Sequence, residues 1–380
     1  MLAWTAGIGH HRAMMIPFPP AGSHARPRQD LARIGFDPGK LAAAAAFALE
    51  IETPWPRDLR AHLEAGYFEA PPDNAILGPI APRGGPNGLV LRDGGVVVSW
   101  GDTRQSDFTF SAAKSYLSLL AGIAFDDGLI SDLDEPVSAT VTDGGFASAH
   151  NAIITWRHLL TNTSEWEGTL FGKADTIDRN RSLATEGRGK RGSRVLQAPG
   201  TYWEYNDVRV NRLSLALLRL FGRALPEVFA ERIMEPIGAS HDWSWHGYST
   251  SVVDVGGKQI ESVSGGTHWG GGMRIHAEDM ARIGLLMAAR GAWGGRQLVS
   301  EHWVELSLAP CPLNHSYGFL WWLNTHRARM PAAPASSFFA VGAGGNMIWI
   351  DPEHGVVAVM RWMDPAAQND FIAQVLGAIR

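Results

Sequence analysis

Cysteine is nearly missing from this chain. Cys311 stands alone among 380 residues, which excludes an intramolecular disulfide and a cysteine-held metal. Followed by Pro312, it reads as a small packed residue. Lysine is almost as scarce, at positions 40, 114, 173, 190 and 258 only. With a formal net charge of -5 and no run of Lys or Arg, there is no electrostatic case for nucleic acid as a partner. Long apolar runs are also lacking: the richest, around residues 41–51 and 116–125, are too short or too interrupted to span a bilayer and read as core helices. The opening segment has no charged stretch ahead of a sustained apolar core, so no signal peptide is read and the cytoplasm is the expected compartment. No G-x-S-x-G elbow occurs, and strands and helices do not alternate as a parallel α/β-hydrolase sheet requires. A soluble fold acting on a small organic molecule fits what is left.

The pattern that is present divides the chain. Residues 1–30 mix Pro, Gly, His and Arg without periodicity and read as an N-terminal arm. Asp37-Pro38 offers an N-cap and a first-turn proline for an alanine-rich helix to Glu50, which Pro54 and Pro56 close. Asp93-Gly94 between β-branched runs at 88–92 and 95–100 predicts a two-residue hairpin. Helical periodicity follows at 111–127, 156–160, 211–221 and 225–237. Strands return from about residue 245, most clearly at 338–341, 347–350 and 356–361, and a closing helix spans 366–379. The expected architecture is α+β. An antiparallel sheet is flanked by N- and C-terminal helices in one domain over 31–380; its α/β part covers about 31–102 and 245–380, and a mostly helical inserted part covers about 103–244.

Ser111-Ala112-Ala113-Lys114 opens the first helix of that insertion, and a spacing of three puts hydroxyl and ammonium on one helix face. A serine is a weak nucleophile until a base takes its proton. Lysine serves as that base when burial and a helix N-terminus lower its pKa, which is the expectation for Lys114. The Ser111 backbone NH at the same helix end can face an oxyanion. Taken alone, a chance S-x-x-K arises roughly 0.3 times in this composition, so the motif needs support.

Support comes from Pro199-Gly200-Thr201-Tyr202-Trp203-Glu204-Tyr205-Asn206-Asp207, a turn leading into aromatics and a polar pair before a helix, and from Ile154-Thr155-Trp156-Arg157-His158-Leu159-Leu160 between the two. Together these resemble the serine β-lactamase and DD-peptidase superfamily in its class C branch, over roughly residues 35–380, and are most similar to 6-aminohexanoate-dimer hydrolases and class C-like carboxylesterases. The resemblance implies that Tyr205 relays protons. It places Asp207 where the family usually has Asn, so that a carboxylate there would accept from Lys114. The family's third motif, a basic residue, Thr and Gly on an inner strand, falls in Val341-Gly342-Ala343-Gly344-Gly345, where Gly342 and Ala343 replace the side chains that grip a β-lactam carboxylate. Gly345 NH is the implied second oxyanion donor, and Gly344 the glycine that lets substrate approach. Trp166, Trp203 and Trp269 are candidates to line an acyl site. His268 and His276 lack ligand spacing, so no metal and no cofactor are expected. The implied activity is ester or amide hydrolysis through an acyl-enzyme on Ser111. The alternatives are a β-lactamase or D-alanyl peptidase, or a catalytically silent relative that binds a peptide.

Overall fold

A computed structural model describes residues 34–181, 183, 192 and 194–380; the expected arm at 1–30 lies outside the described residues. The hairpin forms as the sequence predicts. Asn87–Arg92 and Gly95–Trp100 are joined by Asp93 (φ 47°) and Gly94 (φ 82°), two residue types that accept the left-handed backbone a tight hairpin demands. These strands occupy one side of a six-stranded antiparallel sheet. Its spatial order is Trp322–Leu323, Phe338–Gly342, Asn346–Asp351, Val356–Arg361, Asn87–Arg92 and Gly95–Trp100. The first and last parts of the chain therefore meet in the middle of the sheet, where Val90 lies opposite Ala358 and Leu89 opposite Val359.

Strand residues alternate in direction, and here both faces are covered, which is why these runs are apolar throughout. Val90, Met347, Trp349, Ala358 and Met360 pack with the terminal helices Pro38–Glu50 and Gln368–Gly377, through Leu41, Ala44, Phe371 and Val375. Leu89, Leu91, Ile348, Ile350, Val357 and Val359 point the other way, onto the helices Ala277–Ala288 and Ala113–Asp126. The latter is buried along nearly its whole length and forms the spine of the helical part.

Two expectations shift in detail. Strands Ser244–Val255, Lys258–Val263 and Gly272–Ile275 do not join the main sheet but form a second, four-stranded sheet with Asp107–Phe108. The helix expected at 211–221 begins earlier, at Asp207, because Asn206 caps it by accepting from the Arg209 NH. Among the described residues no helix is long and apolar enough to cross a membrane.

Candidate active site

Ser111 sits not in the long helix but in the short 3-10 turn Phe110–Ala112 that leads into it. Phe110 takes a positive φ of 50°, unusual for an aromatic residue, and is held there by edge-on packing against Trp55 (5.1 Å between ring centres) and Trp362 (6.2 Å). The turn is pressed against the strand Phe338–Gly342: a Cβ on Gly342 would lie 1.8 Å from the Thr109 carbonyl oxygen. Only glycine permits this approach of strand to serine turn.

Lys114, on the next turn, is buried, and its Nζ lies 2.7 Å from Ser111 Oγ. The same ammonium forms an ion pair with Asp207 Oδ1 and stands 4.8 Å above the centre of the Tyr205 ring. Asp207 is itself surrounded. Its Oδ2 accepts from Arg181 Nη2 at 2.9 Å and lies 3.0 Å from His268 Nδ1, and its backbone NH donates to Asp178. Arg181 Nε lies 3.1 Å from Asp178 Oδ1, and Glu69 approaches His268 Nε2 at 3.4 Å.

Burial, the largest single influence, pushes Lys114 down, but the Asp207 charge and hydrogen bond together with Tyr205 more than offset it and hold the pKa above the ordinary lysine value. The expectation of a lowered lysine pKa is thereby reversed: Lys114 is an ammonium in the resting site. Burial likewise opposes ionisation of Asp207, but Lys114 and Arg181 keep its carboxyl well below the usual range. Asp178 shows the opposite balance, burial raising it to about 6 despite Arg181. For His268, burial is overcome by Asp207 and Glu69, and the pKa rises. An imidazolium donates from Nδ1 to Asp207, so the 3.0 Å approach of Arg181 Nη1 to that same nitrogen is a contact between two donors rather than a hydrogen bond.

Ser111, Tyr205 and Asp207 open onto a cavity of about 660 Å³, within the range of small-molecule sites. Trp322, Arg329, Met330, Phe68 and Phe110 also line it. The beta-lactamase family model matches residues 89–371. The chain belongs to the beta-lactamase family. Solved structures agree on the fold. A protein assigned as a 6-aminohexanoate-dimer hydrolase from Bacillus anthracis is 19% identical, with a TM-score of 0.56 over 81% of each chain. A penicillin-binding protein homologue from Caulobacter crescentus is 16% identical, with a TM-score of 0.56 over 86% of this chain and 99% of its own. A hydrolase with promiscuous acyltransferase activity is 16% identical, with a TM-score of 0.56 over 90% of this chain and 98% of its own. No curated protein matches the sequence.

Within this beta-lactamase-family fold, the sequence-expected residues separate into two groups. Ser111, Lys114, Tyr205 and Asp207 come together, and Gly345 lines the cavity. The three tryptophans and Gly344 do not line it. Trp166 is buried and donates from Nε1 to the Gly145 carbonyl at 2.7 Å. Trp269 is buried beneath the site, stacked at 4.0 Å on His268. Trp203 packs behind Tyr205 and Trp322, at 6.4 and 6.1 Å between ring centres, and Gly344 faces Trp362 and Trp55. These aromatics are structural supports, and the apolar wall is supplied by Phe68, Trp322 and Met330 instead.

Sequence reasoning also missed Arg181, Asp178, His268 and Glu69. They come from three distant stretches, Asp178 and Arg181 sharing one, and carry no local motif; the one available signal was the carboxylate at 207, which calls for extra cations around it once buried. Glu69, Asp178 and His268 lie close enough together to suggest a cation site. The Arg181 guanidinium, paired with Asp178 at 3.1 Å, already supplies the positive charge there.

Proposed function

We propose that the protein is a serine hydrolase that cleaves an ester or amide bond of a small substrate through an acyl-enzyme on Ser111, as a carboxylesterase or an amidase acting on 6-aminohexanoate-type oligomers. The observation that carries the reading is the 2.7 Å contact between Lys114 Nζ and Ser111 Oγ at the wall of an open cavity. A buried ion pair organised around a lone serine hydroxyl has no comparable structural purpose, because the pair alone would fold no worse without it.

The protonation states shape the mechanism. Lys114 enters as an ammonium that donates to Ser111 Oγ and stabilises charge developing on that oxygen. As Oγ bonds to the carbonyl carbon, the serine proton passes to the Tyr205 phenolic oxygen while the phenol delivers its own proton to the leaving atom, so the phenol ends neutral as it began. The carbonyl oxygen collects the charge and is held by backbone NH groups of Ser111 and Gly345. Collapse expels the alcohol or amine and leaves the acyl-enzyme, which water attacks by the reverse relay. Asp207 keeps the lysine charged, and Arg181 and His268 hold Asp207 in place.

β-Lactam turnover is disfavoured, because Gly342 and Ala343 offer no side chain to grip the ring carboxylate. Incubation with a fluorophosphonate probe, short p-nitrophenyl esters, the 6-aminohexanoate dimer and nitrocefin tests the reading. Labelling and turnover that vanish in Ser111→Ala support it, and the preferred substrate separates esterase, amidase and β-lactamase. A wild-type protein that neither labels nor turns over any of them is a binding relative.

A further inference from the structure

Among the described residues the cavity has one cation too many. Arg181 is neutralised by Asp178 and Asp207, and Lys114 by Asp207. Arg329, which lines the same cavity, makes neither an ion pair nor a hydrogen bond with any described residue, although its side chain is half-buried and its Nε is closed off from solvent. Nearly all buried donors in folded proteins have partners, and leaving a charged one without any costs more than leaving a neutral one. Among the described residues it lies against an aromatic face: Cζ stands 4.3 Å from the centre of the Trp322 ring. Stacking fixes the plane of the guanidinium and leaves its edge, where the N–H groups point, free for a planar acceptor. Burial pulls the group down to about 10, with Tyr205 and Tyr317 partly opposing, so it is fully charged near neutral pH.

The placement is directed. Trp322 stacks on Tyr205 at 5.7 Å and 26°, and Lys114 Nζ lies 4.8 Å from the other ring centre of that stack. Arg329 and Tyr205 both lie against the Trp322 ring, and Lys114 and Arg181 (Cζ at 5.6 Å) both lie over the Tyr205 ring, so the aromatic pair connects Arg329 to the cations beside the serine. Lys114 contacts Ser111, and Arg329 lines the same cavity with no acidic partner among the described residues. Among the described lining residues the only acidic side chain is Asp207, already committed to Lys114 and Arg181.

We propose that Arg329 binds a carboxylate carried by the substrate, so that the preferred substrates are esters or amides of small molecules ending in an anionic group at some distance from the scissile bond. This rests on the serine hydrolase reading and adds the substrate class to it. The carboxylate takes the in-plane N–H groups of Arg329 as a two-point partner, and the apolar segment between it and the scissile carbonyl lies along Trp322 and Met330.

The test is a matched pair: p-nitrophenyl half-esters of the diacids from succinic to suberic, and the same compounds with the free carboxylate masked as a methyl ester. Wild type is expected to prefer the anionic member in kcat/KM at one chain length or more. Arg329→Gln should lower the anionic-to-masked ratio by about 10- to 100-fold, the loss expected for a hydrogen bond to a charged group. Arg329→Lys, which keeps charge without the fork, should fall between. A ratio unchanged by either variant, with both showing the wild-type circular dichroism and melting curve, overturns the proposal. Calorimetry of the free diacids with Ser111→Ala and with Ser111→Ala/Arg329→Gln decides the matter without turnover: a Kd weakened about 10- to 100-fold by the second change supports Arg329, and equal affinities or no binding to either refute it. Failure of fluorophosphonate labelling would instead strike the hydrolase reading itself, leaving the diacid-binding result to stand on its own.

Discussion

Whether Lys114 works as an ammonium or as a neutral base can be decided by pH. An ordinary lysine titrates at 10.5, and the Asp207 pairing holds Lys114 above that. At pH 7.5 the neutral form is therefore below about one part in a thousand. If neutral Lys114 took the serine proton, kcat/KM for a neutral ester would climb about tenfold per pH unit from pH 7 through 9.5, tracking that fraction. With the ammonium as electrostatic partner, the profile should stay within about threefold over the same range. Asp207→Asn sharpens the contrast, because it removes the carboxylate that opposes burial and so lowers the Lys114 pKa. A neutral-base mechanism then gains activity at pH 7, whereas the ammonium mechanism loses at least about tenfold, roughly the value of one charged hydrogen bond. The same change breaks a buried ion pair whose side chains are 1% and 6% exposed, and should cost about 3–5 kcal/mol in urea unfolding. Stopped-flow hydrolysis of p-nitrophenyl butyrate, corrected for the spontaneous reaction, reads both variables. A wild-type profile that rises tenfold per unit, together with an Asp207→Asn protein more active at pH 7, would refute the ammonium mechanism.

Three further outcomes are expected. Gly342→Val should abolish fluorophosphonate labelling, since its Cβ would lie 1.8 Å from the Thr109 carbonyl and must displace the serine turn; labelling at the wild-type rate would show that the strand is not pressed against it. Arg209 bridges Glu165, Glu204 (2.9 Å) and Asp175 (3.2 Å) in the interior beside Tyr205, so Arg209→Met should destabilise by about 3–5 kcal/mol and lower kcat, measured by urea unfolding and by ester turnover. Asp178 has a folded pKa of about 6 against an ordinary 3.8. Its raised value means that its contribution to stability is complete below about pH 3.8 and is lost as pH rises through 6, at a slope approaching 1.4 kcal/mol per unit. Asp207 is depressed, so its contribution disappears only at more acid pH and does not mask that window. His158 and His276, which burial holds below the ordinary histidine value, gain stability over the same window, so the reading is a difference: the urea midpoint of wild type relative to that of Asp178→Asn should fall between pH 4 and 6.5, and parallel profiles would remove Asp178 as the cause.

What the sequence could and could not disclose follows from the range of the interactions. The Asp93-Gly94 hairpin and the Asp37-Pro38 helix start were legible because a few adjacent residues dictate them through backbone geometry. Ser111 and Lys114 were legible for the same reason, since one helical turn brings them together. Resemblance places the Asp207 carboxylate, 93 residues from Lys114, beside it, but whether its charge offsets burial depends on how closely and how deeply the two are packed, which only the assembled site shows. Trp166, Trp203 and Trp269 were misjudged on similar grounds: a tryptophan near a motif reads the same whether its ring faces a cavity or, as with Trp269 on His268, the underside of a charge network. Arg329 carries no motif at all. Its interest lies in a missing partner, and a missing partner becomes visible only once every neighbouring acid has been assigned in space. Short-range chemistry in this protein is therefore written in order along the chain, while the charge balance that sets protonation and selects the substrate is a property of the assembled cavity.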